Sequence, residues 1–136
     1  MKLDPQAVRN VGLSYVRTQL TRRGWKVMPP TGNAKGVDFL IYGQDASRKL
    51  AIKVRAFSRR KAVSLGVTPD NFLADYLVVC SKVIEDKPEY FILTQEEVMD
   101  LANRNEKAGK VSYWLELRDY ATEPFREKWD RICQGS

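Results

Sequence analysis

The chain has 136 residues, of which 43% are hydrophobic and 29% are charged, and this composition favours one folded domain over residues 1–136 and argues against disorder. It contains two cysteines and no histidine, which excludes zinc sites with histidine ligands and thiol enzymes activated by histidine. No stretch approaches the roughly 20 apolar residues that cross a bilayer, so we expect a cytoplasmic protein whose Cys80 and Cys133 are buried and reduced.

Basic residues are concentrated in the first half of the chain. Residues 1–68 carry 14 lysines and arginines against Asp4, Asp38 and Asp45, a net charge of +11, whereas residues 69–136 have a net charge of −5. This asymmetry predicts a basic face that attracts polyanions. The alternative is a set of charges scattered over a solvated surface.

The first predicted element is an amphipathic helix of about five turns. Asp4 and Pro5 have the pattern of an N-cap followed by proline at the first helical position. Apolar residues then recur at helical spacing until Gly24, namely Leu13, Val16 and Leu20.

Three strands are predicted next, over Trp25–Met28, Val37–Gly43 and Leu50–Phe57. The last two are separated by a turn-like segment and therefore form a hairpin. Ile52 and Val54 alternate with polar residues, so one face of the hairpin should be buried. The basic segment over residues 58–71 is predicted to be a loop.

The second half of the chain predicts further strands and two helices. Residues 76–81 form a continuous apolar run, typical of a strand covered on both faces, and residues 89–94 form another strand. Thr94 and Glu97 form a capping box that opens a helix over residues 95–105. A strand over Val111–Leu117 precedes a short terminal helix around Phe125, Trp129 and Ile132. The expected fold is α/β, an α+β arrangement with a central mixed β-sheet flanked by helices.

The order of these motifs resembles that of a known superfamily. A helix ending RRGW, a short strand, Gly-Val-Asp opening a second strand, a turn and a strand of the form I-x-V-x are similar to the PD-(D/E)xK nuclease-like superfamily. That superfamily includes restriction endonucleases, Holliday-junction resolvases and Mrr-like nucleases. The resemblance covers roughly residues 8–94, and the block GNAKGVDFLIYGQDASRKLAIKVRA is similar to uncharacterised bacterial proteins with I-Q-V-K in the hairpin. It implies a restriction endonuclease-like core.

The resemblance also implies a set of site residues. In the superfamily, an aspartate at the start of the second strand and the acid of (D/E)xK hold Mg²⁺, while the lysine positions or deprotonates the attacking water. Asp38 matches the aspartate and is the candidate metal ligand. Aligned on Ile52 and Val54, Lys53 replaces the acid and Arg55 replaces the lysine, so the candidate catalytic residues are Asp38, Lys53 and Arg55.

The second motif departs from the superfamily pattern. The other alignment frame, Ala51 to Lys53, keeps the lysine but has alanine for the acid, so either frame loses a metal ligand. No glutamate precedes Glu85, and Asp45 in the hairpin turn is a poor second ligand. Lys53 and Arg55 share one strand face and could bind a phosphate without a metal, since arginine makes bidentate contacts with phosphate oxygens.

Each of these residues also has a structural interpretation. Asp38 could cap the preceding TGNAKG loop, and Lys53 and Arg55 could be solvated or could neutralise Asp38 as ion pairs. The tryptophans Trp25, Trp114 and Trp129 lie on apolar elements and are more typical of a core than of base stacking. A phosphate-contacting rim is predicted from seven cations, which are Arg22, Arg23, Lys26, Lys35, Arg59, Arg60 and Lys61.

Three functional hypotheses follow. The first is a nucleic-acid-binding protein, with DNA as the partner, on a nuclease scaffold whose metal site is degenerate and inactive or weakly active. The second is a Mg²⁺-dependent endonuclease that uses Asp38, Lys53 and either Gln44 or a carboxylate from the other subunit of a homodimer. The third is an immunity or regulatory module whose basic patch binds an acidic protein.

Overall fold

The computed structural model describes residues 3–30, 36–44 and 48–133. Its first element, α1 (Pro5–Arg22), is the predicted amphipathic helix. The carboxylate of Asp4 accepts a hydrogen bond from the backbone N–H of Ala7 at 2.8 Å, which satisfies one of the free donors at the helix start. The chain leaves the helix through Gly24, whose φ of 91° suits glycine.

A five-stranded mixed sheet forms the centre of the protein. Its order is β1-β2-β3-β5-β6, and β3 pairs with β5 in parallel while all other neighbours are antiparallel. This arrangement confirms the expected fold class. The strands are β1 (Lys26–Met28), β2 (Phe39–Tyr42), β3 (Lys49–Ala56), β5 (Tyr76–Ser81) and β6 (Glu89–Thr94).

Helix α1 covers one face of this sheet. Ile52 and Val54 of β3 are buried in a cluster that includes Val16 and Leu20 of the helix. Every residue of β5 after Tyr76 is buried, because the sheet is covered on its other face as well. The predicted hairpin and the predicted doubly covered strand are both confirmed.

The other face is covered by a second sheet and a helix. The second sheet has the order β4-β8-β7, with β4 (Val63–Gly66), β7 (Asn103–Lys107) and β8 (Lys110–Leu115). Helix α2 (Gln95–Leu101) begins with the predicted capping box, and two short helices follow, α3 (Leu117–Tyr120) and α4 (Asp130–Cys133). Side chains of β5 and β6 pack here against Val63, Val98 and Leu115.

Three predictions about this second layer were wrong. Residues 58–71 are not all loop, because they contain β4 and a 3₁₀ turn over Pro69–Asn71. The helix that follows Thr94 ends at Leu101 rather than continuing to residue 105, since Asn103–Lys107 pair with β8. Phe125 and Trp129 lie outside the terminal helix, which covers Asp130–Cys133 and contains only Ile132 of the three residues expected there. Pairing with β8 decides the conformation in the first two cases, from a distant segment for β4 and within a hairpin for β7, and residues 125 and 126 pair with β6 in the third.

Two of the three tryptophans and Cys80 are buried, as expected from the sequence. Trp25 and Trp129 are core residues, whereas Trp114 is only partly buried. Cys80 is a free, buried thiol, and burial raises its pKa to about 12. The side chain of Cys133 lies outside the described residues. No helix in the described ranges is both long and apolar enough to cross a membrane.

A glycine brings α1 close to β3. A Cβ built on Gly12 would lie 2.3 Å from the Cβ of Ala56, so only a residue without a side chain permits this approach. Arg9 lies on the same helix one turn earlier, and the approach therefore helps to place Arg9 at the end of the central sheet.

We predict that Gly12→Val lowers the free energy of unfolding by about 2–3 kcal/mol, because overpacking forces the helix away from the strand. Chemical denaturation would measure the change. Ser14→Val is the matched control, since Ser14 is exposed on the same helix and its substitution carries only the helix-propensity cost of a β-branched residue. Equal stability of the two variants would contradict the close approach.

Candidate nucleic-acid interface

Asp38 lies immediately before β2, and only 5% of its side chain is exposed. One carboxylate oxygen, Oδ1, accepts a hydrogen bond from Nη2 of Arg9 at 2.8 Å. The other, Oδ2, accepts one from the backbone N–H of Val54 at 2.7 Å and lies 3.5 Å from Nζ of Lys53. Both oxygens therefore already have partners, two of which are cations.

Arg9 was not among the site residues predicted from the sequence. It was counted among the basic residues but could not be assigned to Asp38, which is 29 positions away. The only local signal is its position beside buried Val8, on the face of α1 that packs against the sheet. The helix packing brings it to the carboxylate.

The donor set at Asp38 does not fit Mg²⁺. A magnesium site in a protein needs oxygen ligands, normally more than one carboxylate or substrate phosphates as well. Within residues 3–30, 36–44 and 48–133 no group of three or more histidine, cysteine, aspartate or glutamate side chains could hold a metal. The carboxylate is instead neutralised by Arg9 and Lys53, so the ion-pair interpretation of Lys53 fits the geometry.

The TGNAKG loop that Asp38 was expected to cap lies mostly outside the described residues.

Arg55 differs from Lys53 because it has no carboxylate within ion-pair distance among the residues described. Its Nη1 donates one hydrogen bond, to the carbonyl of Ser64 at 3.2 Å. Burial lowers the pKa of its guanidinium, Asp38 acts in the opposite direction, and Arg9 lowers the pKa further. The group remains protonated at ordinary pH, and an anion beside it would relieve this cost of burial.

A cavity of about 630 Å³ lies between the start of α1 and the end of β3. We call it the basic cavity. Four cationic side chains line it, and its described lining includes no carboxylate. The cations are Arg9, Arg55, Arg59 and Lys61.

The loop that carries Arg59 and Lys61 is anchored on both sides. The hydroxyl of Tyr120 donates a hydrogen bond to the carbonyl of Lys61. Arg60 forms a bidentate pair with Glu89, with both N···O distances at 2.8 Å. Arg60 therefore serves as an anchor, while its neighbours Arg59 and Lys61 line the cavity.

The other predicted rim residues lie elsewhere. Arg22 and Arg23 are at the far end of α1, about 20 Å along the helix from Arg9 by the rise per residue, and Lys26 begins β1 shortly after that end. Arg23 lies over the ring of Trp129, 4.9 Å from its centroid. Lys35 is outside the described residues. The structure does not bring the seven predicted cations into one surface.

Glu89 is the centre of a second ion cluster. Its side chain is 7% exposed, and Lys82 and Arg126 approach it at 3.8 and 3.5 Å in addition to Arg60. The pKa of Glu89 is lowered, mainly by the hydrogen bonds from Arg60. Burial raises this pKa, and the charges of the three cations lower it further.

We predict that Glu89→Gln lowers the free energy of unfolding at neutral pH by about 1–3 kcal/mol, because three cations lose the buried carboxylate that pairs with them. Since the folded-state pKa of Glu89 is lowered, its contribution is present above its unfolded-state pKa of about 4.3 and is lost as the pH falls through the folded-state value. The difference between wild type and variant should therefore shrink in acid.

Urea denaturation across this pH range would measure the difference. Glu123→Gln is the control, because Glu123 is 88% exposed and its one ion pair in the described part of the chain is with Arg126, at 3.9 Å. A Glu89→Gln effect that stays constant with pH would contradict the assignment.

No protein-family model and no curated protein sequence matches the chain. Among solved structures, it is similar to that of a bacterial homing endonuclease, I-Ssp6803I, with a TM-score of 0.61 and 14% sequence identity over 97% of this chain and 95% of that chain. The fold is nuclease-like. At this identity the similarity concerns the fold alone, and membership of the PD-(D/E)xK superfamily stays a prediction.

Proposed function

We propose that the protein binds DNA on a nuclease-like scaffold and does not cleave it through a metal. The basic cavity carries this proposal, because four cations converge there without a carboxylate among the described lining residues. Phosphate oxygens are the partners that guanidinium and ammonium groups select in such a surface. The nuclease-like fold supports nucleic acid as the source of these phosphates.

Exposure of two cations supports contact with a polyanion. Arg59 and Lys61 are exposed and form no ion pair in the described part of the chain, so neither must break a salt bridge to contact a phosphate. Arg9 is partly exposed at 42% and is shared with Asp38. Binding would therefore depend mainly on backbone phosphates and tolerate changes of sequence.

The state of Asp38 argues against metal-dependent cleavage. A divalent ion that binds this carboxylate would have to displace Arg9, or it would have to bind beside both Arg9 and Lys53. Two positive charges about 5 Å from Mg²⁺ would each oppose it by several kcal/mol, even at an effective dielectric constant near 20. The endonuclease hypothesis requires a ligand that the described residues do not supply, and a homodimer that would supply one stays a prediction.

We expect DNA binding in the micromolar range or weaker at physiological salt, with an affinity that falls steeply as salt rises, because phosphate contacts release counterions. Arg59→Ala with Lys61→Ala should weaken binding and reduce the salt slope by about 2, or roughly 0.9 for each lost contact. Fluorescence anisotropy with labelled duplexes at several salt concentrations would measure both quantities.

Lys107→Ala with Lys110→Ala is the matched control for this experiment. It removes the same charge from the exposed hairpin of β7 and β8, so it should leave the salt slope unchanged. Equal effects of the two double variants would indicate a nonspecific response to net charge. Absence of binding at low salt would favour the acidic-protein partner instead.

We also predict negligible plasmid nicking by the wild-type protein with Mg²⁺ or Mn²⁺. Lys53→Glu with Arg55→Lys removes one positive charge and adds a carboxylate near Asp38, so titration calorimetry should show tighter Mn²⁺ binding than in the wild type. Asp38→Asn serves as the control in the nicking assay. Robust wild-type nicking that this substitution abolishes would establish the endonuclease hypothesis in place of ours.

A further inference from the structure

A second cavity, of about 310 Å³, lies on the other side of Arg55. We call it the strand pocket, because it is formed where β4 passes over β3. Lys53 and Arg55 line it together with the apolar side chains of Val63, Leu65 and Phe72. Its volume is at the lower end of the range for small-ligand sites, which are mostly apolar with a few polar groups.

Arg55 is the residue that connects the two cavities, since it lines both. A guanidinium has five N–H donors, whereas Arg55 makes one hydrogen bond among the described residues, to the carbonyl of Ser64. Its contact with the ring of Phe57, 5.8 Å from the centroid, satisfies no N–H donor directly. A largely buried cation with so few partners is suited to an anionic ligand.

The charges around the pocket favour a dianion. Asp38 forms the shorter of its two ion pairs, at 2.8 Å, with Arg9, which does not line this pocket. The two cations that line the pocket, Lys53 and Arg55, then carry a charge of +2. A phosphate monoester carries about −1.5 to −2 at neutral pH. A phosphodiester in a continuous nucleic-acid backbone carries only −1 and balances half of this charge.

Two exposed apolar side chains lie next to lining residues of the pocket in sequence. Val67 and Leu73, at 70% and 65% exposure, are the most exposed large apolar side chains in the described part of the chain. They flank the lining residues Gly66 and Phe72 in sequence. A ligand with a flat apolar body attached to its phosphate would contact the lining side chains of Leu65 and Phe72, and Asn71 in the same lining offers an amide for hydrogen bonds.

We propose that the strand pocket binds the phosphate monoester of a nucleotide, with Arg55 and Lys53 on the phosphate and Phe72 and Leu65 against the sugar and base. The nucleotide is either a free nucleoside monophosphate or the terminal nucleotide of a phosphorylated strand. The second source rests on the proposed DNA-binding function and would direct the protein to strand ends.

Calorimetry with small probes tests the pocket without nucleic acid. Thymidine monophosphate should bind at least about tenfold more tightly than thymidine, because charge-assisted hydrogen bonds contribute about 1.5–3 kcal/mol. It should also bind more tightly than inorganic phosphate, which makes no apolar contacts. Equal affinity for the nucleotide and the nucleoside would overturn the proposal.

Single-stranded oligonucleotides with and without a 5′-phosphate distinguish the two sources. A preference for the phosphorylated strand assigns the terminal nucleotide, and nucleotide binding without that preference assigns the free nucleotide. If the oligonucleotides with and without a 5′-phosphate bind equally and thymidine monophosphate does not bind, the pocket assignment fails while the proposed function stands. If the nucleotide binds but no nucleic acid does, the proposed function fails and the pocket assignment stands.

Two variants connect these results to the pocket. Arg55→Gln removes the guanidinium, and Leu65→Trp fills the cavity while it keeps Arg55, so both should abolish selective binding of thymidine monophosphate. Leu117→Trp is the matched control at an exposed leucine and should bind as the wild type does. Thermal unfolding checks that each variant folds, and unchanged nucleotide binding in a folded Leu65→Trp protein would overturn the proposal.

Discussion

The hydrogen bonds and ion pairs of the Asp38 carboxylate join α1 and β3 to the start of β2. Arg9 of α1, the backbone of Val54 in β3 and the ammonium of Lys53 all converge on a side chain that is 5% exposed. A buried carboxylate is costly unless such partners surround it. Removal of any one partner would leave a charge poorly compensated, so the site and the packing of α1 depend on each other.

This arrangement also determines what the site can attract. With Asp38 satisfied internally by Arg9 and Lys53, three cations of the basic cavity remain to face a ligand, Arg55, Arg59 and Lys61, and the local field is positive. The motif order implies a metal-binding hairpin, and the nuclease-like fold is present. The same backbone positions carry side chains that suit phosphate better than a divalent cation.

Most of the local structure could be predicted from the sequence. The cap at Asp4, the end of α1 near Gly24, the alternation in β3 and the capping box at Thr94 depend on neighbours within a few residues. Strand β4 and strand β7 could not be predicted in this way. Strand β7 is polar and β4 contains glycine, so neither has the pattern of a strand. Both become strands because β8 supplies hydrogen bonds, to β4 from more than 40 residues away and to β7 within a hairpin.

The sequence by itself determined which residue types meet within the β2–β3 hairpin. Period-two alternation puts Lys53 and Arg55 on the face opposite Ile52 and Val54, and the antiparallel register brings Asp38 beside Lys53. Only the tertiary structure decided which cations remain to face a ligand. Helix packing commits Arg9 to Asp38, and strand β6 presents Glu89 to Arg60. These pairings follow from short distances between elements far apart in the chain, because an ion pair depends on separation in space, which composition and spacing do not contain.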